Sequence, residues 1–401
     1  MRRPTASRVR RVGALEPPGM PSHPIRSLKT KPLRSGRATG GASVRLLGAL
    51  LLLPLIGGIA ISWGAGSLGP AEVRRQILEL PKNAVFEEAL VAGRVTASGD
   101  PVLAAHFPRA ADGAGPARPI VFVHGTPDTM GAWGPLLFGP GELAGSADVW
   151  TLEVVGHGML GDAAGPFTFQ RCADHVAASL DALGLSGVTL VGNSYGGEFC
   201  WRVAADRPDL VERLVLIDCS GLPRSDDEFL PEEVKMREWS VARLGYLLNS
   251  EDRVAFALDP HFDGAADDGR VHEVFLGLEN RTNWGAMIDL VRDENGERAD
   301  DLGRIAAPTL LVFGELDQAY SPTTFGAEFE RRIPDARLEV IEGNVPNPLQ
   351  FPSGCKFRPR CPHASETCAA TEPDLNQIDP KHQVACHHWE EVFKASGNGA
   401  V

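Results

Sequence analysis

Between residues 91 and 341, short apolar runs alternate with longer segments whose apolar residues recur three or four positions apart. Val91 to His106 holds two short extended runs, read as the opening hairpin of a sheet. Pro119-Ile-Val-Phe-Val123 has no polar position, which suits a strand buried on both faces. Further strands are read at Val149–Val154, Val188–Gly192, Leu214–Ile217, Thr309–Phe313 and Arg337–Ile341. Between the strands, Phe169, Cys172, Val176, Leu180 and Leu183 have helical spacing, and Gly184 follows as a stop. Apolar strands alternating with amphipathic helices predict an α/β fold, a mostly parallel sheet with helices on both faces.

From Gly221 to Leu302 the alternation stops. This stretch mixes many charges with Phe229, Trp239, Tyr246, Leu247, Phe256, Phe262, Phe275, Trp284 and Met287. It reads as a helical insertion, a cap over about 222–302, with most aromatics packing the insertion itself and a few left to line a pocket. At the other end, Leu46 to Trp63 is almost wholly apolar, and no charge occurs between Arg45 and Glu72. That length is enough to cross a bilayer, so residues 46–65 are expected to form a single membrane helix. The basic flank would stay cytoplasmic and place the body on the far side. Cleavage as a signal peptide, giving a secreted or periplasmic protein, is the alternative.

Charge sharpens this division. Residues 1–45 hold eleven Lys/Arg and one acidic residue, Glu16, in a Pro/Gly/Ser-rich setting read as disordered. The chain as a whole carries −13, so the body is strongly acidic, which excludes nucleic acid as its partner. Cys172, Cys200 and Cys219 sit among apolar or small residues and read as buried and inert. Cys355, Cys361, Cys368 and Cys386 cluster in the tail, and their spacing suits a metal or cluster site, or two disulfides outside the cytoplasm.

The chemistry centres on Gly192-Asn-Ser-Tyr-Gly196, which joins the 188–192 strand to a helix-compatible segment. A serine at such an apex is lifted clear of the sheet, and glycines on either side avoid collision. Ser194 is the candidate nucleophile. Asp317, just past the 309–313 strand, is the candidate acid, since chemistry gathers at that edge of a parallel sheet. The amides of Thr126 and Tyr195 are the candidate oxyanion donors. Asp218, His124 and His157 also sit at strand ends or turns and read as structural.

These stretches resemble the capped branch of the α/β-hydrolase fold family, in order and spacing, over about 85–341. The resemblance is carried by His124-Gly-Thr-Pro127, Gly156-His-Gly158, Leu180-Asp-Ala-Leu-Gly184, Gly192-Asn-Ser-Tyr-Gly-Gly197, Arg213-Leu-Val-Leu-Ile-Asp218 and Pro308-Thr-Leu-Leu-Val-Phe-Gly314. It implies Ser194 as nucleophile, Asp317 as triad acid, no cofactor for the hydrolase, and acyl transfer on a small hydrophobic substrate.

The chain departs from that pattern where the base belongs. The family places Gly-His soon after the last strand, whereas here Glu342-Gly-Asn-Val-Pro346 follows and no histidine occurs until His363. His363 is a weak candidate, with His382, His387 and His388 behind it. Residues 342–388, with the spacing C-x5-C-x6-C-x17-C, resemble instead the C-terminal extension of ATP-binding subunits of oligopeptide/dipeptide ABC transporters. That resemblance implies that Cys355, Cys361, Cys368 and Cys386 hold an iron–sulfur cluster. No G-x-x-x-x-G-K-[ST] loop is present, so the chain does not bind ATP in that way. The expected organisation is thus a basic segment (1–45), a membrane helix (46–65), a hydrolase domain (85–341) and a Cys-rich tail (342–401). The function expected is an acyl hydrolase impaired by loss of its histidine; the alternatives are an inactive remnant or a peptide-transport accessory.

Overall fold

The computed structural model describes residues 67–110, 118–139, 143–225, 228–240, 242–258, 267–317, 319–341, 353–355, 357–358, 361, 363–379 and 382–389. The expected disordered segment and membrane helix lie outside the described residues. Among the described residues, no helix is long and apolar enough to cross a membrane.

Eight strands form one sheet in the order β1-β2-β4-β3-β5-β6-β7-β8. They are β1 (Leu90–Val95), β2 (Pro101–Phe107), β3 (Ile120–Val123), β4 (Val149–Leu152), β5 (Val188–Asn193), β6 (Val211–Ile217), β7 (Thr309–Gly314) and β8 (Ala336–Ile341). β1–β2 is the predicted hairpin, β2 pairs antiparallel with β4, and every other pairing is parallel. Because successive strand residues point to opposite faces, each central strand feeds two cores. Val121 and Val123 join one cluster with Val188 and Leu190, while Phe122 joins the other with Val191 and Met130. That is why these strands read as unbroken apolar runs.

The helices named here are α1 (Pro70–Leu78), α2 (Phe169–Leu183), α3 (Tyr195–Asp206), α4 (Pro231–Glu238), α5 (Glu251–Leu258), α6 (Asp268–Leu278), α7 (Arg281–Asp293), α8 (Ala327–Arg332) and α9 (Glu366–Ala370). Thr168 caps α2 through its hydroxyl on the Arg171 amide, and Gly184 ends it in the left-handed region. The predicted strands and α2 stand within two residues of their expected bounds, except β6, which begins three residues earlier than expected, at Val211.

Among the described residues from Gly221 to Leu302, helices predominate, α4 to α7 among them. Val254, Leu258, Val271, Val274, Leu278 and Met287 form a small core of its own. Phe229, Tyr246 and Met287 are consumed by packing, while Leu247, Leu248, Trp239 and Phe256 face out. The insertion is tied to the body by polar contacts. Asp128 pairs with Arg270, Thr129 donates to Glu273, and Asn83 Nδ2 donates to Glu273 at 3.1 Å.

Strand β8 ends the sheet with Val340 48% exposed. Further on, α9 precedes a separate two-stranded sheet of β9 (Leu375–Asp379) and β10 (His382–Ala385).

Candidate active site

Ser194 sits where β5 turns into α3, with φ 53° and ψ −125°. A non-glycine residue there is strained and persists only when its surroundings hold it. The Ser194 amide donates to Ile217 O at 2.9 Å, and Asn193 Nδ2 donates to the same carbonyl at 3.1 Å. The Ser194 carbonyl accepts from Gly197 N at 3.0 Å, the first bond of α3. The flanking glycines are required by close approach. A Cβ on Gly192 would lie 2.4 Å from Gly196 O, and one on Gly196 would lie 2.3 Å from His124 O.

The loop after β3 closes over this turn, so that a Cβ on Gly125 would meet Ser194 Cβ at 3.1 Å. Thr126 follows Gly125, and Tyr195 follows Ser194. Among the described residues, neither the Thr126 amide nor the Tyr195 amide donates a hydrogen bond, and Ser194 Oγ has no partner. An orphan amide is uncommon in a folded interior, and two beside a strained serine make a candidate donor pair.

His124 and His157 have the loop-organising roles expected of them. The His124 Nδ1–H donates to Gly125 O at 2.8 Å, and its Nε2 accepts from the Val154 amide at 3.2 Å. The His157 Nδ1–H donates to Val155 O at 3.1 Å, leaving Nε2 to accept from the Thr126 hydroxyl at 2.6 Å. Burial first, and for His124 the nearby His157, pushes them down to about 3 and about 4, so both rings are neutral. Below them, Glu153 accepts from the Met130 and Met159 amides, and burial pushes its carboxyl up to about 8.

On the acid side, Asp317 Oδ1 accepts from the Ala319 amide at 2.7 Å and the Tyr320 amide at 2.6 Å. Asp218 ends β6 at φ 41°, and its Oδ1 accepts from the Gly314 amide at 2.8 Å. Burial, then the charge of Asp317, pushes Asp218 up to about 8. Asp218 is therefore a neutral brace for the loop that carries Asp317, consistent with a structural reading.

No histidine among the described residues hydrogen-bonds Ser194. His363 is exposed and its ring makes no hydrogen bond. His387 donates to Thr371 O at 2.8 Å, and His388 Nε2 lies 2.8 Å from Ser365 Oγ. The structure thus brings Ser194 together with the loop that carries Thr126, and among the described residues no histidine is hydrogen-bonded to Ser194.

The four tail thiols are free. Cys368 Sγ contacts Ser365 Oγ at 3.4 Å, and Cys386 Sγ accepts from the His388 amide at 3.3 Å. Among the described residues, no three metal-ligating side chains converge. Cys172, Cys200 and Cys219 are buried, and burial raises all three thiols, in keeping with inert packing.

One feature escapes sequence reasoning. Glu294, at the end of α7, is buried and accepts from Tyr195 Oη at 2.7 Å, Tyr320 Oη at 3.1 Å and Arg224 Nη1 at 3.2 Å. The guanidinium of Arg224 also reaches Glu233 at 3.0 Å and stacks 4.1 Å from the Phe229 ring centroid. This hub joins the residue after Ser194, the loop after Asp317 and the base of the insertion. The only signal available in the sequence is that opposite charges, Arg224 and Glu294, flank the insertion.

Among solved structures, the chain is similar to a membrane phospholipase A described as a bacterial virulence factor. They are 21% identical with a TM-score of 0.51, over 76% of this chain and 92% of that one. It is similar to the haloalkane dehalogenase DbeA of Bradyrhizobium elkanii, with 21% identity and a TM-score of 0.53 over 64% and 90%. A thermophilic esterase from Thermogutta terrifontis gives 21% and 0.50 over 64% and 93%. At such identities the likeness shows the fold alone. A short segment is 51% identical over 53 residues to the di/tripeptide transport ATP-binding protein of Pseudomonas aeruginosa (strain UCBPP-PA14), which is 13% of this chain and 16% of that one. A putative oligopeptide transport ATP-binding protein of Bacillus subtilis (strain 168) gives 44% over 66 residues, 15% and 20%. The chain spans only about a sixth to a fifth of the length of these curated relatives. Residues 120–347 match the model of the alpha/beta hydrolase family, more than half of the chain, and with the strand order and the serine turn they establish that the chain belongs to that family.

Proposed function

We propose that the protein is a serine hydrolase of this family, acting on an ester-like bond of an apolar acyl substrate through an acyl-enzyme on Ser194, and slowed by the lack of a placed base. The observation that carries this reading is the strained Ser194 turn with a free Oγ beside the unengaged amides of Thr126 and Tyr195. In the reaction, Ser194 Oγ forms a bond to the acyl carbon and the two amides hold the oxyanion. The leaving-group bond then breaks, and the hydroxyl proton passes to solvent or to an added base. Water repeats the attack on the acyl-enzyme and regenerates the serine. Asp317 would orient a base and holds its own loop through two amides. A triad lacking one member retains about 10³–10⁴-fold acceleration over water from the remaining site, so slow turnover is expected. The apolar stretch 46–63 would tether the body to a membrane on its non-cytoplasmic side.

The test is labelling of the full chain by a fluorophosphonate, which reports an attacking serine. Slow labelling that disappears in Ser194→Ala supports the reading. Labelling that persists in Ser194→Ala would place the nucleophile elsewhere, and folded protein that never labels would make the chain a non-catalytic remnant.

A further inference from the structure

The N-terminal entry of the described chain is hydrogen-bonded to the insertion. Leu68 N donates to Glu279 O at 3.1 Å, Ser67 Oγ donates to the same carbonyl at 3.3 Å, and the Arg281 amide donates to Ser67 Oγ at 3.1 Å. Asn280 Nδ2 completes the clasp on Leu68 O at 3.0 Å. Glu279 and Asn280 form the turn between α6 and α7, and Arg281 opens α7, so the chain enters the fold at the insertion's helical hairpin. Ser67 stands four residues past Trp63, the last residue of the apolar 46–63 stretch, a span of at most about 14 Å.

Beside this clasp lies exposed apolar surface. Asn249 Nδ2 donates to Glu279 Oε1 at 3.0 Å, which sets Leu248 next to the entry point. Leu248 is 67% exposed and Leu247 36%, and Phe256, one turn past Arg253 on α5, is 68% exposed. Arg253 Nη1 donates to Leu248 O at 3.3 Å, and so joins α5 to the same surface. Arg253 and Arg281 are offset there by Glu251, Asp252 and Glu279. The patch is thus apolar with charges of both signs around it, which suits a bilayer interface in which side chains enter the acyl boundary and long charged ones reach back to water.

We infer that the Leu247–Leu248–Phe256 face of the insertion rests on the bilayer that the 46–63 stretch enters. The inference depends on that stretch being a membrane anchor, as proposed above, and it makes the insertion the membrane-facing side of the hydrolase. The α6 contacts to Asp128 and Thr129 link this side to the loop that carries Thr126. A membrane-derived acyl lipid would accordingly reach the site from the bilayer side.

The experiment uses the full chain in phosphatidylcholine nanodiscs, with Cys355, Cys361, Cys368 and Cys386 replaced by serine. A nitroxide is placed in turn on Leu248→Cys, Phe256→Cys and Glu212→Cys, the last at the opposite end of the sheet on β6. Collision with oxygen and with a water-soluble nickel chelate is then measured. Labels at 248 and 256 that favour oxygen, with the label at 212 favouring the chelate, support the inference. Chelate access at 248 and 256 equal to that at 212 overturns it while leaving the anchor intact. Release of the chain from membranes by alkaline carbonate overturns the anchor and the docking together. Fluorophosphonate labelling reads the hydrolase proposal separately.

Discussion

Ser194 offers a direct measure of what its geometry costs. Its φ of 53° and ψ of −125° fall where L-residues are rare and glycine is at ease. Holding a non-glycine residue there costs about 1–3 kcal/mol. Replacing Ser194 by Ala removes Oγ but keeps Cβ and therefore the strain, whereas Gly relieves it. Glycine also enlarges the freedom of the unfolded chain, which offsets about 0.4–1 kcal/mol of the gain. Ser194→Gly should therefore be more stable than Ser194→Ala by about 1 kcal/mol. For a domain of 150–250 residues that is about 2–4 °C in Tm. The assay is urea unfolding of both variants in the same mild detergent, compared at a common slope. Neither variant should label with fluorophosphonate, so the comparison isolates conformation from chemistry. A glycine variant no more stable than the alanine variant would refute the strain argument. It would mean that Ser194 relaxes in solution, and that the turn does not hold its hydroxyl clear of the sheet.

Three further outcomes are expected. Glu294→Ala removes one of the two carboxylates that Arg224 reaches, leaving Glu233, and strips the buried Tyr195 and Tyr320 hydroxyls of their acceptor; it should lower stability by about 1–3 kcal/mol, read from the urea midpoint. Glu294→Gln keeps an acceptor for Tyr195 and should lose less, and an alanine variant within 1 kcal/mol of the parent, order of magnitude, would sink the hub's structural role. Glu153, pushed up to about 8 from an ordinary 4.5, keeps a proton in the folded state that the unfolded chain releases in between. Its contribution is full below the lower value and is lost as pH rises through the upper one. The parent should thus lose about 1.4 kcal/mol per pH unit relative to Glu153→Gln over that window, and parallel pH profiles of the two would contradict it. Finally, added imidazole should speed fluorophosphonate labelling of Ser194 by supplying the absent base, and a rate flat in imidazole would show that the hydroxyl is not limited by proton removal.

The legible part of this protein is local. Alternation along Val121, Phe122 and Val123 declares a strand buried on both faces, because each face must meet its own core. The spacing of Phe169, Cys172, Val176 and Leu180 declares a helix stripe, and Gly184 ends it in a conformation glycine favours. Gly192 and Gly196 around Ser194 declare the turn, since backbone oxygens occupy the places their Cβ atoms would need. The same reading shows that no histidine occurs between β8 and His363.

What tertiary structure alone decided is which distant residues these local pieces meet. Asp218 and Asp317 come to share one corner because β6 and β7 are neighbours although the whole insertion lies between them in the chain. Glu294 reaches Tyr195, and Ser67 reaches Glu279 and Arg281, across separations that no periodicity encodes. Periodicity reports only whether a face seeks water or a core. The partner each face finds is set by the order in which the strands assemble, and a buried carboxylate declares its role only once the groups that donate to it have been brought around it.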